Sequence, residues 1–265
     1  MAARPDALSA VPQSYRRAGS GPALVLVHGY LGGADQWHDM IAHFAPGFDV
    51  IAPDLPGCGG NADQQGPDRI GDFARAVLAL LDDLDVTEFT LLGHSMGGMI
   101  AQELARLVPH RVTRLVLYGT GPLGMMPDRF EPIETSRERL RADGVAETIA
   151  RIGATWFRQG SAGRGYDLVA SLGRRASTAT ALAALDAMAH WDGRAALSGL
   201  TMPALVIWGD GDRSYRWPQV QALWEGLADA RLAVLPGTAH AAHLEKPMLF
   251  NMLLADFLGG DQPGG

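Results

Sequence analysis

The sequence predicts an α/β fold: a mostly parallel central sheet with helices on both faces, interrupted once by a helical insertion. Three observations predict it. Short apolar runs alternate with longer runs of helical periodicity along most of the chain. Each apolar run stops at a cluster of Gly, Pro, Asn or Asp. From Met125 to about Arg194 the alternation stops and only helical patterns remain. Strands separated by helices pair in parallel, because a parallel pair needs a crossover connection. A chain of 265 residues suits one domain enlarged by an insertion. The expected division is a core over 1–121 and 197–265, with a helical cap over 122–196.

Each element has its own signal. Residues 1–13 are an Ala/Pro-rich lead-in, 14–17 a short strand, and Gly19 to Pro22 a turn. Residues 23–27 are continuously apolar, as expected of a strand covered on both faces. They end in the glycine-rich loop His28-Gly29-Tyr30-Leu31-Gly32-Gly33. Residues 37–44 read as a helix with Trp37, Met40, Ile41 and Phe44 on one face. The strand at 49–52 stops at Pro53-Asp54-Leu55-Pro56-Gly57, and 61–68 is a polar loop. A helix over 70–84 turns Phe73, Val77, Leu80, Leu81 and Leu84 inward. A strand at 90–92, a tight turn and a helix to Val108 follow, ended by Pro109. The strand at 114–118 closes at Gly119-Thr120-Gly121-Pro122. The insertion holds helical stretches near 132–141, 145–156, 166–172 and 178–189. Then come a strand at 204–208, a helix at 218–227, a strand at 231–235 and a helix at 247–258, with a Gly/Pro-rich end expected to fray.

Composition excludes several classes. The net charge of −7 and the scattered arginines, with Lys246 the one lysine, argue against a nucleic-acid partner. The single cysteine, Cys58, rules out an intrachain disulfide and fits a reducing compartment. The N-terminus lacks the apolar run of a secretory signal, which points to the cytoplasm. No apolar run approaches the length that spans a bilayer, so no membrane association is expected. No His/Cys/Asp/Glu spacing resembles a metal motif, and no cofactor is expected. Gly57-Cys58-Gly59-Gly60-Asn61-Ala62 matches a dinucleotide fingerprint, but no helix opens after it. The oligomeric state is left open.

The chemistry gathers around Gly93-His94-Ser95-Met96-Gly97, a G-x-S-x-G pattern between a strand and a helix. A serine at such a turn is held in strained backbone geometry with its hydroxyl above the sheet. The glycines are needed because a Cβ there would meet neighbouring backbone. A serine hydroxyl needs a base, usually a histidine held by a carboxylate. His28, Ser95, Asp212 and His240 all follow predicted strand ends, on the rim where parallel sheets bind ligands. The order Ser95, Asp212, His240 is that expected on such a sheet.

From about Tyr15 to Leu258 the chain resembles the α/β-hydrolase superfamily. The resemblance rests on Val27-His28-Gly29, Asp54-Leu55-Pro56-Gly57-Cys58-Gly59, Gly93 to Gly98, Gly209-Asp210-Gly211-Asp212 and Ala239 to Pro247. It implies Ser95 as nucleophile, His240 as base and then acid, and Asp212 as the carboxylate that orients His240. It also implies an oxyanion hole from the backbone N–H groups of Tyr30 and Met96. Asp210 competes with Asp212, and His243 with His240. The family pattern puts the acid at the last Asp of its turn and the base directly after a small residue that follows the strand, which favours Asp212 and His240. His28 is expected to shape its loop, Asp54 to cap a turn, and His94 to pack the elbow or line the pocket.

A serine nucleophile disfavours the relatives that use a carboxylate at the elbow, the epoxide hydrolases and haloalkane dehalogenases. The resemblance implies a serine hydrolase forming an acyl-enzyme on Ser95 from a small or medium carboxylic ester or lactone. The alternatives are a carbon–carbon bond hydrolase of dienone-type ring-cleavage products and a non-catalytic ligand-binding protein. Relatives of the first kind often carry Asn where His94 stands. Substrate choice is expected from the insertion and the turn after Asp212, with Met125, Met126, Trp156, Phe157, Trp191, Tyr215 and Trp217 as candidate roof residues.

Overall fold

The computed structural model describes residues 13–125 and 131–259. The lead-in up to residue 12, Met126 and the C-terminal residues 260–265 lie outside the described residues. The sheet comprises β1 (Tyr15–Ala18), β2 (Ala23–Val27), β3 (Asp49–Pro53), β4 (Phe89–His94), β5 (Val112–Tyr118), β6 (Ala204–Gly209) and β7 (Ala230–Leu235). Their order across the sheet is β1-β3-β2-β4-β5-β6-β7. β1 runs antiparallel to β3, and every other pair is parallel.

Alternation along β2 explains its uniformly apolar sequence. Leu24 and Leu26 join one buried cluster with Trp37, Met40 and Phe250, while Val25 and Val27 join another with Phe73, Met99 and Leu115. Helices α1 (His38–Phe44) and α9 (Pro247–Gly259) cover the first face, and α2 (Ile70–Asp83) and α3 (Met96–Leu107) the second. The expected helix at 37–44 begins instead as a 3-10 turn, Ala34–Trp37. The strand expected at 90–92 is longer, because Gly93 and His94 still pair with Leu117 and Tyr118.

Between β5 and β6 lie α4 (Ile133–Ala154), α5 (Tyr166–Gly173) and α6 (Thr178–Ala189). Gly144, at φ 78° and ψ 176°, breaks α4, so the run is two helices, as the periodicity predicts. α4 packs on α5 and α6. The core resumes with α7 (Trp217–Gly226) and α8 (Ala242–Glu245), the latter a single turn too short to leave a period. Three bonds tie the inserted segment to the loop around α8, and a fourth ties it to α1. The Ala241 N–H donates to the Trp156 carbonyl at 2.9 Å, and the Arg158 N–H to a Glu245 carboxylate oxygen at 2.7 Å. Arg164 donates to the Leu244 carbonyl and to Asp39. Among the described residues no helix is long and apolar enough to cross a membrane.

Candidate active site

The parallel register brings β2, β4, β5 and β6 out at one rim. Val27 lies beside Gly93, His94 beside Tyr118, and Tyr118 beside Ile207. Ser95 sits at the sharpest point of that rim, with φ 57° and ψ −122°, a region few non-glycine residues occupy. Several bonds hold it there. Its N–H donates to the Tyr118 carbonyl at 3.0 Å, and its carbonyl accepts the Gly98 N–H and the Thr120 hydroxyl, each at 2.8 Å. A Cβ on Gly93 would lie 2.2 Å from the Gly97 carbonyl oxygen, and one on Gly97 2.4 Å from that of Val27. Met96 opens α3, so its N–H is one of those a helix leaves without an internal partner.

His240 meets a carboxylate. Its Nδ1 lies 2.9 Å from Asp212 Oδ2, with both side chains buried. Asp212 Oδ1 accepts the N–H groups of Ser214 at 2.7 Å and Tyr215 at 3.2 Å, which fixes the carboxylate plane. Asp210 is exposed and instead accepts the Gly237 N–H at 2.8 Å. Among the described residues the hydrogen bonds of His240 run to Asp212 through Nδ1 and to His94 and Tyr118 through its carbonyl. None reaches Ser95; such bonds are often long in a resting site and tighten with substrate.

Behind His240 is a stack of aromatic and imidazole rings. The Tyr118 hydroxyl donates to the His240 carbonyl at 2.6 Å and accepts the His243 N–H at 3.2 Å. His94 Nε2 lies 3.0 Å from the same carbonyl, an acceptor only, so Nε2 carries the His94 proton. The His94 ring is 4.5 Å from that of Tyr118 and 4.6 Å from that of His240. Burial, reinforced by the neighbouring His240 and His243, holds His94 well below the usual imidazole range. Burial and then His240 push His243 down to about 3. Both are therefore neutral. Burial also lowers His28, whose Nε2 accepts the Leu55 N–H while Nδ1 donates to its neighbour's carbonyl. Burial raises the Cys58 thiol to about 12, which leaves it unreactive. Asp54 accepts the N–H groups of Ala34 and Gly60 and the Ser14 hydroxyl, a turn-holding role.

Two small cavities meet at the rim, and Tyr30, Ser95, Trp156 and His240 line both. One, of about 40 Å³, is completed mainly by Ile133, Ile152, Met188, Ser214 and Tyr215. The other, of about 20 Å³, is completed by Gln36, His94, Val169 and His243 among others. The expected substrate contacts divide accordingly. Trp156 and Tyr215 border the larger cavity and His94 the smaller. Met125 is 55% exposed and lines neither. Trp191 lies in another cleft, with Arg69, Arg75 and Asp192. Sequence reasoning missed Ile133, Ile152 and Met188, whose helical periodicity marks a buried face but not what it faces. It also missed Ser214, which has no signal. The dinucleotide-like glycines form a short 3-10 turn, Gly59–Asn61, and α2 starts only at Ile70. No group of His, Cys, Asp and Glu able to hold a metal occurs among the described residues.

The model of the α/β hydrolase fold family matches residues 22–247. The chain belongs to the α/β hydrolase fold family. Among family members, it is 28% identical over 234 residues to a protein named 3-oxoadipate enol-lactonase 2, from Acinetobacter baylyi; the match covers 87% of this chain and 86% of that one. It is 29% identical over 258 residues to the 2-hydroxy-6-oxo-6-phenylhexa-2,4-dienoate hydrolase of Comamonas testosteroni, covering 92% and 90%. The crystal structure of an enol-lactonase from Burkholderia xenovorans superposes with a TM-score of 0.84 at 24% identity, covering 93% of this chain and 96% of that one. That superposition speaks for the fold. The named activities of the sequence relatives speak for a hydrolase.

Proposed function

We propose that the protein is a serine hydrolase that cleaves a small carboxylic ester or lactone through an acyl-enzyme on Ser95. The observation that carries this reading is the pairing of a buried His240–Asp212 hydrogen bond with a serine held at positive φ on the wall of the same cavity. In the proposed reaction His240 takes the Ser95 proton as Oγ attacks the carbonyl carbon. Asp212 holds the ring with Nδ1–H toward it and stabilises the imidazolium. The oxyanion is received by the N–H groups of Tyr30 and Met96. His240 then gives its proton to the leaving oxygen, and a water reverses the sequence to release the acid.

The larger cavity sets the acyl group. Its lining is mostly apolar, with the Ser214 hydroxyl left without a partner. Apart from His240, no basic side chain lines it among the described residues. This favours a neutral acyl group with one polar atom within reach of Ser214. Residues 122–196 act in this reading as the cap, since Ile133, Ile152, Trp156 and Met188 come from them. A second reading, hydrolysis of a carbon–carbon bond in a dienone acid, draws on the Comamonas relative. A carboxylate-bearing substrate of that kind would want a cation that the described lining does not offer.

Stopped-flow assay with p-nitrophenyl acetate and butyrate tests the proposal. Wild type should release close to one equivalent of nitrophenol in a burst and then turn over; Ser95→Ala should do neither. Turnover surviving in Ser95→Ala would remove Ser95 as nucleophile. A folded wild type that cleaves a dienone acid but no ester would favour the second reading.

A further inference from the structure

The smaller cavity differs in kind from the larger one. Three side-chain nitrogens from residues that line it have no hydrogen-bond partner: Gln36 Nε2, His94 Nδ1 and His243 Nε2. All three residues are at least nine-tenths buried. Their roles follow from the bonds already assigned. His94 carries its proton on Nε2, so Nδ1 is an acceptor. The Tyr118 hydroxyl gives its hydrogen to the His240 carbonyl, so at 3.2 Å it can only accept from His243 Nδ1. That leaves His243 Nε2 as a second acceptor. Gln36 Nε2 is a donor. One donor and two acceptors are the complement of a single water. A water needs roughly 10–15 Å³ of such space and two to four polar partners, and the cavity offers about 20 Å³.

We propose that this chamber is a built water site and that it supplies the second half of the reaction, with Gln36, His94 and His243 as its positioning residues. The inference rests on the acyl-enzyme reading above. The chamber touches Ser95 and His240, whereas the acyl group is assigned to the apolar cavity that shares those two residues with it. The step balances as follows. One O–H of the water turns from its imidazole acceptor to His240 Nε2; the oxygen then bonds to the acyl carbon as that proton passes to His240 Nε2. The bond from that carbon to Ser95 Oγ then breaks, and the same proton passes to Oγ. Acylation needs no such water, so the chamber should act on deacylation alone.

The test separates the two halves with p-nitrophenyl butyrate. Gln36→Met removes the donor at similar volume. His243→Asn keeps a donor toward Tyr118 and removes the Nε2 acceptor. In both variants the burst rate should stay within about twofold of wild type, while steady-state turnover falls about tenfold and KM falls with it, as slow deacylation requires. Added methanol should capture a larger share of the acyl group than in wild type. Burst and turnover falling together would show a structural role and overturn the proposal, as would unchanged turnover. A crystal structure of the resting protein gives a readout besides activity. One ordered water bonded to the three nitrogens is expected, and side chains closing the space overturn the site. Wild type without a burst would fail the acyl-enzyme reading, even where that water is seen.

Discussion

Ser95 carries the largest local strain in the site. A non-glycine residue at φ 57°, ψ −122° costs on the order of 1–3 kcal/mol and persists only where surrounding bonds over-determine it. The Tyr118 carbonyl, Gly98 N–H and Thr120 hydroxyl supply those bonds. Removing the hydroxyl should cost little stability, because no hydrogen bond among the described residues depends on it. Ser95→Gly removes the Cβ as well and should be more stable than Ser95→Ala by about 1 kcal/mol, both being inactive. Urea melts of the two variants decide it, and equal midpoints would mean that the elbow is unstrained. The two aspartates of the β6 turn give a second contrast. Asp212 faces His240 and Asp210 ties down the Gly237 turn. Asp212→Asn should lower kcat by about 10²–10⁴, in line with loss of the orienting carboxylate. Asp210→Asn should stay within about threefold, since it keeps an amide oxygen for Gly237 N–H. The opposite ranking would move the acid to Asp210.

Among the elements, α8 joins the inserted helices to the strand-end loop that carries His240. Glu245 at its end accepts the Arg158 N–H at 2.7 Å and the Ala239 N–H at 2.6 Å, one on each carboxylate oxygen. A glutamine has only one acceptor oxygen and must turn its amide toward an N–H. Glu245→Gln should therefore cost about 1–2 kcal/mol, read as a drop in thermal midpoint, and a midpoint equal to wild type would show these bonds to be idle. Glu245 lies inside the Ala239 to Pro247 segment, yet no sequence signal assigns it a role, and the reason is physical. Its partners lie 87 and 6 residues away, and neither separation leaves a period. Strands, their order of motifs and the elbow were legible because each depends on local pattern: apolar runs, glycines where backbone crowds, prolines at ends. The helices inserted between β5 and β6 were legible for the same reason, including the break at Gly144. Which helix face roofs the site was not. Trp191 is among the roof residues expected from the sequence and Ile152 is not, yet only Ile152 reaches the cavity. The ring stack of His94, Tyr118 and His243 was hidden too, since it joins side chains from two adjacent strands to His243, which lies 125 residues beyond Tyr118.

For the whole molecule, two electrostatic effects oppose each other on acidification. The net charge of −7 falls as pH drops from neutral, which relieves diffuse self-repulsion and would favour the fold. Three buried imidazoles act the other way. Burial keeps His28, His94 and His243 neutral, with His243 lowered to about 3. In the unfolded chain each takes up a proton near the ordinary histidine value of about 6.5. The unfolded state then binds more protons, so stability is complete above about pH 6.5 and is lost as pH falls below it, toward each folded value. A single such histidine contributes a slope of up to about 1.4 kcal/mol per pH unit. Surface repulsion is spread over many exposed groups and screened beyond about 10 Å at 0.1 M salt, so the buried histidines should dominate. Urea midpoints at about pH 8, 6 and 4.5 should fall on acidification, with little dependence on salt. In His243→Asn the slope between the two lower points should be shallower by up to about one proton's worth. A midpoint that rises on acidification would mean that relief of surface repulsion outweighs the buried imidazoles, whereas a slope unmoved in His243→Asn would mean that His243 is protonated in the folded protein, and the neutral tautomer assigned to it in the small chamber would fall.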